Sequence, residues 1–126
     1  MATEIGMNRR TSPSYLNPVD LVSLARHTSG NETLERERLR LFVSQSQEFL
    51  TRLRKYIKRG DDKEWRATVS TIRVLAESVK ARPLTDMVAV IERKERVCQI
   101  DLDVIGECIS EADEYIAILL SDGESK

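Results

Sequence analysis

The chain has 126 residues, 40% of them apolar and 33% charged, with a formal net charge of -1. That length carries one domain with a buried core, while the near-neutral balance and the 5% aromatic content argue against a basic stripe for nucleic acid or stacking platforms for single strands. No apolar run approaches the roughly 18 residues of a membrane span, and the opening "MATEIGMNRRTSPSYL" lacks the apolar stretch of a secretory signal, so the expected setting is a reducing cytoplasm.

In chain order, residues 1–15 mix Thr, Ser, Asn and Arg without periodicity and read as a disordered or loosely packed leader. Asn17 and Pro18 suit the cap and first position of a short helix, with Leu21, Leu24 and Ala25 as its apolar side and "HTSGN" as its end. A long helix is predicted over 32–58. Phe42, Ser46, Phe49, Leu53 and Tyr56 recur every three or four positions there, and Leu34, Leu41, Leu50 and Ile57 widen the stripe. Gly60 is a natural stop, and Asp61 followed by Glu64 resembles a capping box. The charge runs "ERERLR" and "RLRKYIKRG" read as solvated helix faces.

The third helix is predicted over 62–81, with Trp65, Thr68, Val69, Ile72, Leu75, Ala76 and Val79 on one face. Arg82-Pro83 breaks it, because a residue before proline avoids helical angles. Pro83 opens a fourth helix with Leu84, Met87, Val88 and Ile91 inward. The last helix is predicted over 100–120, with Ile105, Cys108, Ala112, Tyr115, Ile116 and Leu119 inward and 122–126 as a frayed tail. Cys98 and Cys108 are too far apart for a CxxC motif, and the single histidine, His27, gives no cluster to complete a metal site. Both cysteines are therefore expected to pack as small apolar residues within that helix, and no metal or cofactor is expected. No strand alternation or internal repeat competes with the helical pattern. Short loops make successive helices antiparallel neighbours. The expected fold is all-α: an antiparallel up-down four-helix bundle over 16–121 with a short extra helix in front.

The outward side of the third helix is unusual. Ser70, Val74 and Ala81 are expected to point into water with Ala67 beside them, flanked by Arg66, Arg73 and Glu77. Such a row is smoother and more apolar than a typical solvated face. It reads either as a chance run of small residues or as a docking strip for a partner.

The stretch "WRATVSTIRVLAESVKARPL" resembles the histidine-containing phosphotransfer (HPt) domain of bacterial phosphorelays, whose third helix carries His-x-Leu-Lys-Gly-Ser. Ser70 stands at the position of the phosphorylatable histidine. Ile72 matches the Leu and Arg73 the Lys, while Val74 replaces the Gly and Leu75 the Ser. Lys80-Ala81 replaces a Gly-Ala pair. The front end "NPVDLVSLARHTSGNETLERERLRLFVSQ" is similar to that of single-domain HPt proteins of alphaproteobacteria, so the resemblance covers about 17–120. It implies a bundle that meets a receiver domain through this helix. A serine hydroxyl without a neighbouring base is a weak nucleophile, and its phosphate ester would not pass the group back. The resemblance therefore implies a degenerate, non-phosphorylatable member.

Three functions follow as expectations. The first is a non-enzymatic interaction module that binds a response-regulator receiver or a histidine-kinase-related protein through Arg66, Ala67, Ser70, Arg73, Val74, Glu77 and Ala81, with no nucleic-acid or membrane partner. The second is an active phosphotransfer protein with an unconventional acceptor such as His27, although a histidine at a helix C-terminus also serves the helix dipole. The third is a self-associating bundle whose small-residue strip forms a homodimer contact.

Overall fold

Backbone groups at helix ends must find partners, and the chain's caps set its elements. The computed structural model describes residues 17–124, with side chains described through 121; the leader expected over 1–15 lies outside them, as do 125–126. Five helices occur among the described residues, and no strand: α1 Leu21–His27, α2 Glu32–Arg59, α3 Asp62–Ser78, α4 Arg82–Glu92 and α5 Gln99–Glu124.

The first helix starts later than Asn17-Pro18 suggests. Its N-cap is Asp20, whose carboxylate accepts from the Ser23 backbone N–H at 3.1 Å and the Ser23 hydroxyl at 2.7 Å. Arg82 Nε also donates to Asp20, at 2.8 Å. A long-range partner therefore helps choose this cap over the local Asn-Pro signal. Only Leu24 of the expected apolar side is buried; Leu21 is exposed and Ala25 half-buried. Thr28 closes the helix, donating to the Leu24 carbonyl at 3.1 Å and to Glu35 Oε1 of α2 at 3.3 Å.

Asn31 caps α2 through Leu34 N–H at 3.1 Å. At 28 residues the helix is about 42 Å long. It buries Leu39, Phe42, Ser46, Leu50 and Leu53 at three- and four-residue spacing. Leu41, expected to widen that stripe, is exposed, and Leu39 takes its place. Ser46 is a buried hydroxyl, and it is satisfied by Asp113 of α5 at 3.0 Å. Gly60 ends the helix at φ 73, a left-handed conformation that costs a side chain with a Cβ.

Asp61 caps α3, accepting from Glu64 N–H at 3.3 Å. The seven residues assigned to its inner face, Trp65, Thr68, Val69, Ile72, Leu75, Ala76 and Val79, are all buried. The helix nevertheless stops at Ser78 rather than at 81. The break is the left-handed Lys80, φ 57, after which Ala81 N–H returns to the Ala76 carbonyl at 2.9 Å. Arg82 and Pro83 already belong to the first turn of α4, where proline's missing N–H costs nothing.

Leu84, Val88 and Ile91 are buried from α4. Leu102, Ile105, Ile109, Ala112 and Ile116 form the inner stripe of α5. That helix continues through 121–124, past its expected end near Leu120. Cys98 precedes it and is exposed rather than packed inside, whereas Cys108 is half-buried. Asp101 accepts from Cys98 N–H at 3.0 Å, the return half of a capping box, and from Lys94 Nζ at 2.7 Å.

Helix α2 packs against α3 and α5, α4 packs against the same two, and α1 leans on α2. The apolar faces meet in one core in which Phe42, Leu53, Val69, Val88, Ile105 and Ile116 have no exposed surface. No helix among the described residues is long and apolar enough to cross a membrane.

Candidate functional site

The middle of α3 presents Ser70 and Arg73, one turn apart and therefore on the same flank. The last residue of α4, Glu92, lies beside them. Ser70 Oγ donates to Glu92 Oε2 at 3.0 Å, and Arg73 Nε donates to Glu92 Oε1 at 2.5 Å. One carboxylate thus bridges a hydroxyl and a guanidinium across the α3–α4 seam. The Arg73 side chain is 40% exposed and that of Glu92 24%, so the ion pair sits at the rim. Ser70 is half-buried.

This geometry fixes the chemistry of Ser70. Its hydroxyl donates to a carboxylate that also accepts from a guanidinium, so the Ser70 oxygen is held in a closed side-chain bridge. An incoming phosphoryl group would also meet the Glu92 charge about 3 Å away, a repulsion that the paired Arg73 offsets in part. His27 lies in the last turn of the separate short helix α1 and is exposed.

The other candidates divide into three groups. Val74 is 61% exposed, the most prominent apolar side chain on this face, and Ala67 and Glu77 are exposed near it on the same helix. Arg66 is exposed but folds back. Its guanidinium stacks 4.4 Å from the Trp65 ring and donates to the Glu95 carbonyl at 3.3 Å. Ala81 does not belong to an exposed strip at all: it is fully buried. The left-handed Lys80 turns the chain after Ser78, so extrapolating helical angles to position 81 placed that methyl on the wrong side.

Pattern reading missed Glu92. A signal for it exists in the hairpin: Ser70 lies eleven residues before Ala81 and Glu92 eleven after it, so an antiparallel pair turning there sets the two side by side. Pattern reading also missed the two carboxylates that titrate abnormally on α5. Burial pushes Asp113 up, and hydrogen bonds from Gln47 and Ser46 pull back only part of that rise. Burial acts upward on Asp101 too, but the Lys94 ammonium and the Cys98 N–H and thiol together hold it below the usual carboxylate range. No group of three or more potential metal ligands occurs among the described residues.

No family model, curated protein or solved structure matches this chain.

Proposed function

We propose that the chain is an HPt-like up-down four-helix bundle, with α1 as its extra front helix, that binds a response-regulator receiver or a related signalling protein without relaying phosphate. The observation that carries this reading is the engagement of Ser70 by Glu92. At the position where the resemblance puts a phosphoryl acceptor, the chain holds a serine hydroxyl bonded to a carboxylate. What remains on that face is a contact surface: Val74 in water, Ala67 and Glu77 around it, and Arg73 half-exposed although paired. Val74 supplies the apolar contact. Arg73 supplies an ionic one by exchanging Glu92 for an acidic side chain of the partner, an exchange of one charge-assisted hydrogen bond for another.

The test is titration of wild type, Val74→Asp and Arg73→Ala against purified receiver domains from the same genome, alongside incubation with a phosphorylated receiver. The expected outcome is a receiver whose binding Val74→Asp weakens at least about tenfold, with no phosphoryl label on the chain. Equal binding by all three proteins, or label on Ser70 or His27, refutes the proposal.

A further inference from the structure

A second cluster of charge lies away from α3's outward face, where the C-terminus of α1 meets the α3–α4 turn. A cleft of about 330 Å3 opens there, lined by Ser23, Arg26, His27, Lys80 and Arg82. Three of the five carry permanent positive charge, and none is acidic. The acids that act on the Arg82 charge are Asp20, Glu77 and Asp86. Asp20 is buried and spent on the Ser23 N–H, the Ser23 hydroxyl and Arg82 Nε, and Glu77 and Asp86 do not line the cleft. Among the described residues, Lys80 has its one ion pair with Glu77, at 3.9 Å, and no acid pairs with Arg26.

The scaffold under these cations is fixed. Arg82 is held through Nε on Asp20 and donates from an η nitrogen to Ser23 Oγ at 2.9 Å, which leaves its remaining N–H groups for a ligand. Lys80 is aimed by its left-handed backbone, φ 57, and by the hydrogen bond from Asp20 N–H to its carbonyl at 2.8 Å. Helix α4 begins at the same place, and its N-cap, Ala81, makes no side-chain hydrogen bond.

We infer that this cleft binds a small soluble phosphate-bearing molecule. A phosphomonoester dianion matches the requirement, with several acceptor oxygens for a fixed guanidinium and neighbouring cations at once. The cleft is open to solvent, so a small carbon skeleton attached to the phosphate would project out of it. The inference is independent of the α3 reading, since it uses none of its residues.

The test titrates the full chain with inorganic phosphate and with glycerol phosphate at constant ionic strength, read by amide NMR. Saturable shifts are expected at Ser23, Arg26, His27, Lys80 and Arg82. Arg26→Gln and Lys80→Gln should each weaken binding about tenfold, and Lys80→Arg should retain it. Gln at position 80 meets the same backbone demand as Lys, so both variants are expected to fold, which the amide spectrum itself verifies. Linear, unsaturated shifts overturn the inference, as does an undiminished response in the Arg26→Gln/Lys80→Gln double variant. Binding to vesicles containing phosphatidic acid without binding to either soluble phosphate also overturns it, because the ligand would then be a membrane surface.

Discussion

Removing the carboxylate of Glu92 tests the α3–α4 seam directly. In Glu92→Ala the Ser70 hydroxyl loses its acceptor and Arg73 loses its ion pair. The hydroxyl–carboxylate bond is part-buried and contributes about 1 kcal/mol. The Arg73 pair is half in water, so solvent screening brings it to about 0.5 kcal/mol. The sum, about 1.5 kcal/mol, lowers the melting temperature of a domain this size by roughly 5–8 °C. Urea denaturation of Glu92→Ala, Ser70→Ala, Arg73→Ala and the two pairwise doubles forms two cycles that separate the terms. The expected couplings are about 1 kcal/mol for Ser70–Glu92 and about 0.5 kcal/mol for Arg73–Glu92. Couplings below about 0.2 kcal/mol in both cycles would mean that Glu92 faces water in solution, and the account of Ser70 as a held hydroxyl would fall.

Two glycine variants should move in opposite directions. Gly60→Ala puts a Cβ into open space but at φ 73, so it should destabilise by about 1 kcal/mol through the backbone alone. Gly106→Ala lies inside α5, where the new methyl would approach the Arg54 side-chain tip at 3.3 Å. That tip can yield, and the gain in helix propensity should stabilise by roughly 0.5–1 kcal/mol. The abnormal carboxylates of α5 predict opposite pH behaviour. Asp101 is depressed in the folded state, so its contribution is present above the unfolded value near about pH 3.9 and is lost as pH falls through the lower folded value. Asp101→Asn should therefore be less stable than wild type at neutral pH, with a gap that closes in acid. Asp113 is raised, so its ionisation costs stability as pH rises through the folded value. Asp113→Asn, which keeps an oxygen for the Ser46 hydroxyl, should gain on wild type at neutral pH and lose that gain below about pH 4. Thermal melts from acid to neutral pH check both signs.

The parts legible in the sequence are those that local physics decides. Seven apolar or small positions of α3 could be assigned inward because a helix of that length keeps a constant angle per residue, and all seven are buried. Gly60 could be read as a stop because only glycine takes a left-handed cap at no steric cost. The parts missed are those decided by residues far apart in the chain. Asp20 displaces Asn17 as the cap because Arg82, more than sixty positions away, reaches its carboxylate. Lys80, a residue with no turn signature, takes the left-handed conformation and carries Ala81 into the core. At the site, Val74 and Arg73 were findable by angle, whereas the Glu92 partner depended on where the hairpin turned. A break placed at Arg82-Pro83 puts the symmetry centre in the wrong place.

The same arrangement of groups occurs twice around the α3–α4 hairpin, and the contrast between the copies bears on function. Asp20 accepts from the Ser23 hydroxyl at 2.7 Å and from Arg82 Nε at 2.8 Å. Glu92 accepts from the Ser70 hydroxyl at 3.0 Å and from Arg73 Nε. In each, one carboxylate bridges a serine and an arginine. The Asp20 side chain, however, is 7% exposed, whereas that of Glu92 is 24% exposed. Opening the Asp20 bridge would leave a carboxylate desolvated and remove the cap of α1, so this bridge holds the fold together. Opening the Glu92 bridge returns both charges to water at small cost. A partner that offers its own carboxylate to Arg73 therefore competes on nearly even terms with Glu92 but could not dislodge Asp20. Of the two, the rim bridge is therefore the one that opens at small cost, and the Asp20 bridge the one that holds the fold.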